Sequence, residues 1–203
     1  QIHEAQKTGD VGYSEQLSQS GHNLAQVAQF MYENHPNIFQ TVLDKMRKRV
    51  PGIDKVEAKE TEDGRIILQF QDGNFKDPFI SRYVSDGTLK MFAYLILLHH
   101  PSPRPLLAIE EPENYLHPKL LHILAEEFRE YAQKGGQVFI STHSPEFVDA
   151  LQPEELFWLE KKDGLTNVRR AADDEVIRRL KAEGEELGHL WMQNYLNGSG
   201  PSL

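Results

Sequence analysis

Two adjacent carboxylates, Glu110 and Glu111, close the apolar run in the stretch RPLLAIEEPENYLHP, residues 104–118. A bare carboxylate at the end of a hydrophobic strand is costly unless cations or hydrogen-bond donors meet it. A structural salt bridge would need only one. Successive residues of a strand point to opposite faces, so two in a row can do different work. One could hold a hard divalent cation such as Mg²⁺, largely through water. The other could orient and deprotonate a water molecule. Taken alone, the pair also fits ordinary charge at a strand end. Two further groups invite chemistry: Ser85-Asp86-Gly87 in VSDGTLK, and Ser141-Thr142-His143 in FISTHS.

The elements that must carry these groups are legible in outline. LLAIEE and QVFISTHS are continuous apolar runs, the pattern of strands covered on both faces in a parallel sheet. Between them, HPKLLHILAEEFREYAQKG has Leu120, Leu121, Leu124 and Phe128 at helical spacing and ends at Gly135-Gly136. PEFVDALQ opens a short helix with Pro145 at its first position. The strand–helix–strand–helix order over 106–151 predicts right-handed crossovers and a parallel α/β sheet. Functional groups of such sheets gather at the carboxyl ends of the strands, where Glu110-Glu111 and Ser141-Thr142-His143 both fall. Ser85 is an N-cap candidate for a helix over about 87–99 that is apolar on most sides. His99 and His100 fall in its last turn, where cations complement the helix dipole.

Upstream, helices are expected over about 22–34, ending near Pro36, and from Ile38 to Pro51-Gly52. A hairpin is expected from DKVEAKET to RIILQFQD around Asp63-Gly64, and another around Asp163-Gly164. Residues 173–196 read as helical and amphipathic, before the tail NGSGPSL. The expected division is a flexible segment over 1–16, a small helical and hairpin lobe over 17–80, a core over 81–172 and a helical segment with tail over 173–203.

The 203 residues carry no cysteine, which excludes disulfides, thiol catalysis and zinc–thiolate sites, and fits a reducing cytoplasm. No apolar run approaches the roughly 20 residues of a membrane helix. The net charge of −9 disfavours a strongly basic nucleic-acid binder. The local basic stretch KMRKRV, 45–50, reads as a solvated helix face. The polar start, without an initiator Met or signal pattern, reads as the cut end of a longer protein.

Three pieces in fixed order, VSDGTLK, LLAIEEPENYLHP and FISTHS, resemble the C-terminal half of an ABC-type ATPase head. The group includes RecF-like, SMC-like and overcoming-lysogenization-defect-like proteins, and the chain is most similar to its AAA_21, SMC-like class. The resemblance covers about residues 15–195. It implies a P-loop-NTPase-like parallel sheet with flanking helices, and use of ATP and Mg²⁺. VSDGT matches the signature motif, so Ser85, Asp86 and Gly87 would meet the γ-phosphate of ATP held by a second head. LLAIEE matches Walker B, with Glu110, where most relatives have Asp, as the Mg²⁺-associated carboxylate and Glu111 as the catalytic one. ENYLHP matches the D-loop, placing Asn114, Leu116 and His117 near a dimer interface, with His117 where Asp is common. His143 matches the switch histidine.

No G-x-x-x-x-G-K-[ST] phosphate loop occurs in these residues, and no Q-loop is recognisable. The resemblance therefore implies partnership with an N-terminal half and with a second head, and a chain that alone hydrolyses no ATP. DNA is a candidate target of the assembly. No TOPRIM nuclease segment is read within 151–203, and on that reading the overcoming-lysogenization-defect branch is the less expected one. Two other readings compete. One is a non-catalytic dimerisation or interaction module. The other is a metal-dependent nuclease built on Glu110, Glu111, Glu113 and His117, which would leave the motifs at 84–90 and 141–144 without a role.

Overall fold

The computed structural model describes residues 9–10, 15–50, 52–62, 65–71, 73 and 77–196. The expected turn at Asp63-Gly64, the tail 197–203 and most of the segment 1–16 lie outside the described residues. In chain order the elements are β1 (Gly9–Asp10), α1 (Leu24–Asn34), α2 (Pro36–Arg49), β2 (Lys55–Glu60), β3 (Arg65–Gln71), β4 (Phe79–Ile80), α3 (Asp86–Leu98), β5 (Leu106–Glu110), α4 (Lys119–Gln133), β6 (Gln137–Ser141), α5 (Pro145–Asp149), β7 (Phe157–Lys162), β8 (Leu165–Arg170), α6 (Glu175–Ala182) and α7 (Leu187–Met192). The chain divides into two compact units. One comprises 1–108, 115–117 and 127–139, the other 109–114, 118–126 and 140–203.

In the first unit, β3 pairs antiparallel with β1, β2 and β4. The core sits where the apolar stripes of α1, α2 and α3 meet β2 and β3. Phe92 is its centre: Phe39 and Phe70 each set an edge against it, with centroids 6.4 and 5.7 Å away. Each of these fully buried rings contributes about 1.5–3 kcal/mol by leaving water. α3 begins where expected, because the Ser85 hydroxyl accepts the Thr88 N–H at 3.1 Å.

Two sequence expectations are revised in this unit. The basic stretch on α2 is not simply a solvated face. Lys45 (Nζ–Oε1 2.7 Å) and Arg49 both pair with Glu127 on α4, a carboxylate only 1% exposed. His99 donates no charge to the end of α3 either. Its Nε2 lies 2.9 Å from Glu127 Oε2, but burial and the nearby Lys45, Lys134 and Arg49 push its pKa down to about 4. Glu127 is already satisfied by two cations, so a third is not favoured.

A pH dependence follows. The unfolded chain protonates at His99 near pH 6.5, the folded chain only near 4. Stability should therefore fall as the pH drops through that window, by at most about 3 kcal/mol. His99→Gln keeps a donor for Glu127 but does not titrate. Urea unfolding at stepped pH should show that slice of the slope flattened in His99→Gln; an unchanged slope would refute the assignment.

The second unit has its own core of Val148, Leu156, Trp158, Ile177, Leu187 and Leu190. The β7–β8 hairpin turns at Asp163-Gly164, both with positive φ (52° and 80°), as a two-residue hairpin loop demands. The C-terminal segment is two short helices rather than one, because Gly184 adopts φ +104° and ends α6. Asp149 Oδ1 caps α7 by accepting the Gly188 N–H at 2.7 Å.

β5 and β6 form the two-stranded sheet that carries the strand-end residues. Gln137 N–H bonds to Pro105 O at the amino ends and Glu111 N–H to Ser141 O at the carboxyl ends, each at 2.9 Å, so the pair is parallel. The expected cover on both faces is not met. Leu106 and Phe139 are 51% and 65% exposed while Leu107 is buried, so among the described residues these side chains lack a covering element on their face.

Candidate functional site

β5 ends at Glu110 because Glu111 adopts φ +46° and Pro112 follows it, without an N–H for a ladder. The alternation that would send Glu110 and Glu111 to opposite faces thus stops at Glu110. Glu111 keeps one ladder bond, its N–H to Ser141 O, so the turn after β5 is tied to the end of β6. Asn114 N–H closes the turn on Glu111 O at 3.2 Å.

Glu113, in that turn, reaches the residues after β6. Its Oε1 accepts the Thr142 hydroxyl at 2.6 Å and the His143 N–H at 3.1 Å. Thr142 Oγ1 accepts the Ser144 N–H at 3.0 Å, and Ser144 caps α5 through the Phe147 N–H. The His143 ring stands in solvent, 85% exposed, with Nε2 3.4 Å from Glu111 Oε1. Glu111 and His143 are therefore brought together. Glu110 is exposed at the strand end, and Asn114 is exposed in the turn.

Electrostatics distinguish the carboxylates. Partial desolvation, then the neighbouring Glu113 carboxylate, hold Glu111 above the usual range, with His143 pulling the other way. Burial pushes Glu113 up, but the Thr142 hydroxyl, the Glu111 carboxyl and backbone N–H groups outweigh it and hold it below the usual range. A carboxylate above the usual range is the better proton acceptor near neutral pH.

Among the described residues no group of three or more His, Asp or Glu forms a ready-made metal cage. Mg²⁺ needs no such cage, since it is held through one or two carboxylates, water and substrate phosphates. Glu113 Oε2 is buried without a donor among the described residues, beside the Glu111 carboxyl. Glu110, exposed at the same strand end, supplies a hard oxygen donor that a hydrated cation can reach.

The signature-like residues and His117 belong to the other compact unit. There Ser85 Oγ engages Thr88 N–H and lies 2.8 Å from Thr88 Oγ1. Asp86 stands in the first turn and Gly87 follows. A Cβ on Gly87 would lie 2.6 Å from the carbonyl oxygen of Tyr115, a residue held at φ +68°. Lys90, one turn on, lies 6.0 Å from the Tyr115 ring centroid. His117 is exposed. The start of α3 and the turn 115–117 are thus in backbone contact, which explains why position 87 takes glycine.

Gly87→Ala should cost about 1–3 kcal/mol through that clash. Gly184→Ala, where nothing lies within 4 Å of the added Cβ but φ is +104°, should cost about 1 kcal/mol. Paired urea titrations in which Gly87→Ala was the milder would show that the Tyr115 carbonyl yields easily.

Sequence reading missed the bridging role of Glu113, which it counted only among the nuclease candidates, and that of Thr142. The only signal was the E-P-E spacing.

Comparison with known proteins adds three findings. Residues 12–149 match the AAA_21 family, described as "AAA domain, putative AbiEii toxin, Type IV TA system". Over 82 residues the chain is 29% identical to the Old nuclease of Escherichia phage P2. That match covers 40% of this chain and 14% of the nuclease, so the chain spans a small part of its curated relative. Among solved structures, an SMC ATPase head studied for ATP-driven dimerization and DNA-stimulated activation superposes with TM-score 0.51 at 15% identity, over 78% of this chain and 98% of that one. The Smc head of Pyrococcus furiosus, with an extended coiled coil and bound to the C-terminal domain of ScpA, gives 0.56 at 12% identity, over 79% and 41%. At these identities the likeness is one of fold: an SMC-head type of P-loop NTPase architecture.

Proposed function

The chain belongs to the AAA_21 family of ATPase-type domains, and from that premise we propose that it is the C-terminal half of an ABC- and SMC-like ATPase that works as a pair of heads. In this reading a phosphate loop in an N-terminal half holds ATP. Ser85, Asp86 and Gly87 of the second copy close on the γ-phosphate through the start of α3. Asn114 and His117, in the turn after β5, face the partner head. Glu111 takes a proton from the attacking water, and His143 donates to the γ-phosphate. Bound Mg²⁺ would offset phosphate charge, and Glu110 would hold it through water. Closure on two nucleotides stabilises the dimer, and hydrolysis releases it.

The observation that carries the reading is the pairing of Glu111 with His143, 3.4 Å apart at the carboxyl ends of two parallel strands. Nucleotide sites of open α/β sheets lie at that edge. DNA is the proposed target, in line with the DNA-stimulated SMC head and the phage nuclease that the chain resembles. Among the described residues no helix is long and apolar enough to cross a membrane, in keeping with a proposed cytoplasmic site.

The test is ATP turnover by this chain alone and joined to a phosphate-loop-bearing N-terminal half. Turnover is expected only when joined. Robust turnover by the 203 residues alone, abolished by Glu111→Gln, would overturn the half-site reading. Mg-ATP binding without turnover in the joined protein would favour a non-catalytic dimerisation module.

A further inference from the structure

Glu113 makes the bonds that join the loop after β5 to the loop after β6. We propose that Glu113 is the positioning residue of this site, fixing His143 against Glu111 by holding the Thr142 hydroxyl and the His143 backbone N–H on one carboxylate oxygen. The proposal rests on reading Glu111 and His143 as the ATP-facing pair.

The argument begins with the His143 ring. At 85% exposure it has almost no packing to hold it, so its place is set by its backbone. That backbone leaves β6 at Ser141 and enters α5 at Pro145, a three-residue link. Within the link Thr142 acts as a relay. Its hydroxyl donates to Glu113 and accepts the Ser144 N–H, while the His143 N–H goes directly to the same Glu113 oxygen. Ser144 in turn caps α5. One carboxylate thus anchors residues 142, 143 and 144. It is pinned from its own side by the buried Pro112 and by the Asn114-to-Glu111 turn bond. Hydrogen bonds to an ionised acceptor are about twice as strong as neutral ones, so a carboxylate suits this place better than an amide. Glu113 acts through Thr142 and His143, not on the nucleotide.

Side-chain chemistry sets the expected variant series. Glu113→Gln keeps an acceptor oxygen for both donors, in weaker form. Glu113→Ala removes it. Thr142→Val removes the relay and leaves the His143 N–H bond available. In the protein joined to its phosphate-loop half, Glu113→Ala should lower kcat about 10–100-fold, the cost of a misplaced catalytic group. KM for ATP should change less than about threefold, and Glu113→Gln should retain most of kcat. In the chain itself, hydrogen exchange by NMR should show the His143 amide protected in the wild type and Glu113→Gln, and unprotected in Glu113→Ala. The amides of the β7–β8 hairpin, in the same compact unit, should stay protected throughout and report folding. Should Glu113→Ala fail to fold, Glu113→Gln and Thr142→Val carry the test. Thr142→Val must then lower kcat while the His143 amide stays protected.

Unchanged kcat and unchanged His143 protection in Glu113→Ala, with Glu111→Gln inactive, would overturn the proposal and leave the ATPase reading standing. A joined protein in which Glu111→Gln has no effect would sink the ATPase reading. The exchange experiment would then decide the Glu113 anchor by itself.

Discussion

Glu111→Gln in the joined protein is expected to lower ATP turnover about 10²–10⁴-fold, the usual cost of removing a general base. The substitution is isosteric. The amide oxygen can still face the His143 ring, whose Nε2 lies 3.4 Å away in the wild type, so binding geometry is kept while proton acceptance is lost. The folded state should not suffer. The Glu111 carboxyl is held above its usual range, first by desolvation and then by Glu113, which means the native fold disfavours its ionised form. Neutral glutamine removes that conflict, so the variant should unfold no more easily at neutral pH. The combination of intact stability, intact ATP binding and lost turnover should trap a closed, ATP-bound dimer, visible by light scattering. The pH profile gives a second signature. The ionised form is the active one, so turnover falls as the pH drops through the Glu111 pKa. In kcat/KM, which reports the free protein, that acid limb should sit above the ordinary carboxylate range in the wild type. Turnover that survives Glu111→Gln, or an acid limb unchanged by it, would remove Glu111 from the reaction.

The largest stability effect is expected at Glu127. This carboxylate is 1% exposed and meets Lys45, Arg49 and His99. Replacing a buried ion pair as a unit can be neutral, but removing one partner strands the others. Glu127→Ala leaves two mostly buried cations, Lys45 and Arg49, without their shared anion. Glu130, 3.0 Å from Lys45 and half-exposed, offsets only part of that. A loss of about 3–5 kcal/mol is expected in urea unfolding. Glu127→Gln, which keeps the shape and one acceptor, should lose less. A double change of Glu127→Leu with Lys45→Met should recover part of the loss, because it removes charge from both sides. Glu127→Ala within about 1 kcal/mol of the wild type would show that the network is screened by water rather than buried.

The two cases mark what the sequence made legible. Local signals were sufficient where a single short motif dictates the backbone. Ser85 before Asp86-Gly87 marked the start of α3, Asp163-Gly164 marked the hairpin turn, and apolar runs closed by polar residues marked the strand ends at Glu110 and Ser141. Pairing across distance was not legible. Lys45 and Glu127 lie 82 positions apart, and each alone looks like ordinary charge on an amphipathic helix. Glu113 was hidden for the same reason, since its partners Thr142 and His143 come 29 and 30 residues later. Cover on the strands was misread because composition reports the apolar character of LLAIE and QVFIS, not whether a neighbour is present; Leu106 and Phe139 are exposed. The positive φ of Glu111 left no mark in a pair of identical residues.

The most direct measurement is a structure of the Glu111→Gln protein, joined to its phosphate-loop half and closed on Mg-ATP. The account predicts the His143 ring within hydrogen-bond reach of the γ-phosphate, the residue at 111 facing the in-line water, and Ser85 of the second copy on the far side of the same phosphate. An ATP phosphate bound away from the carboxyl ends of β5 and β6, with His143 turned from it, would contradict the account.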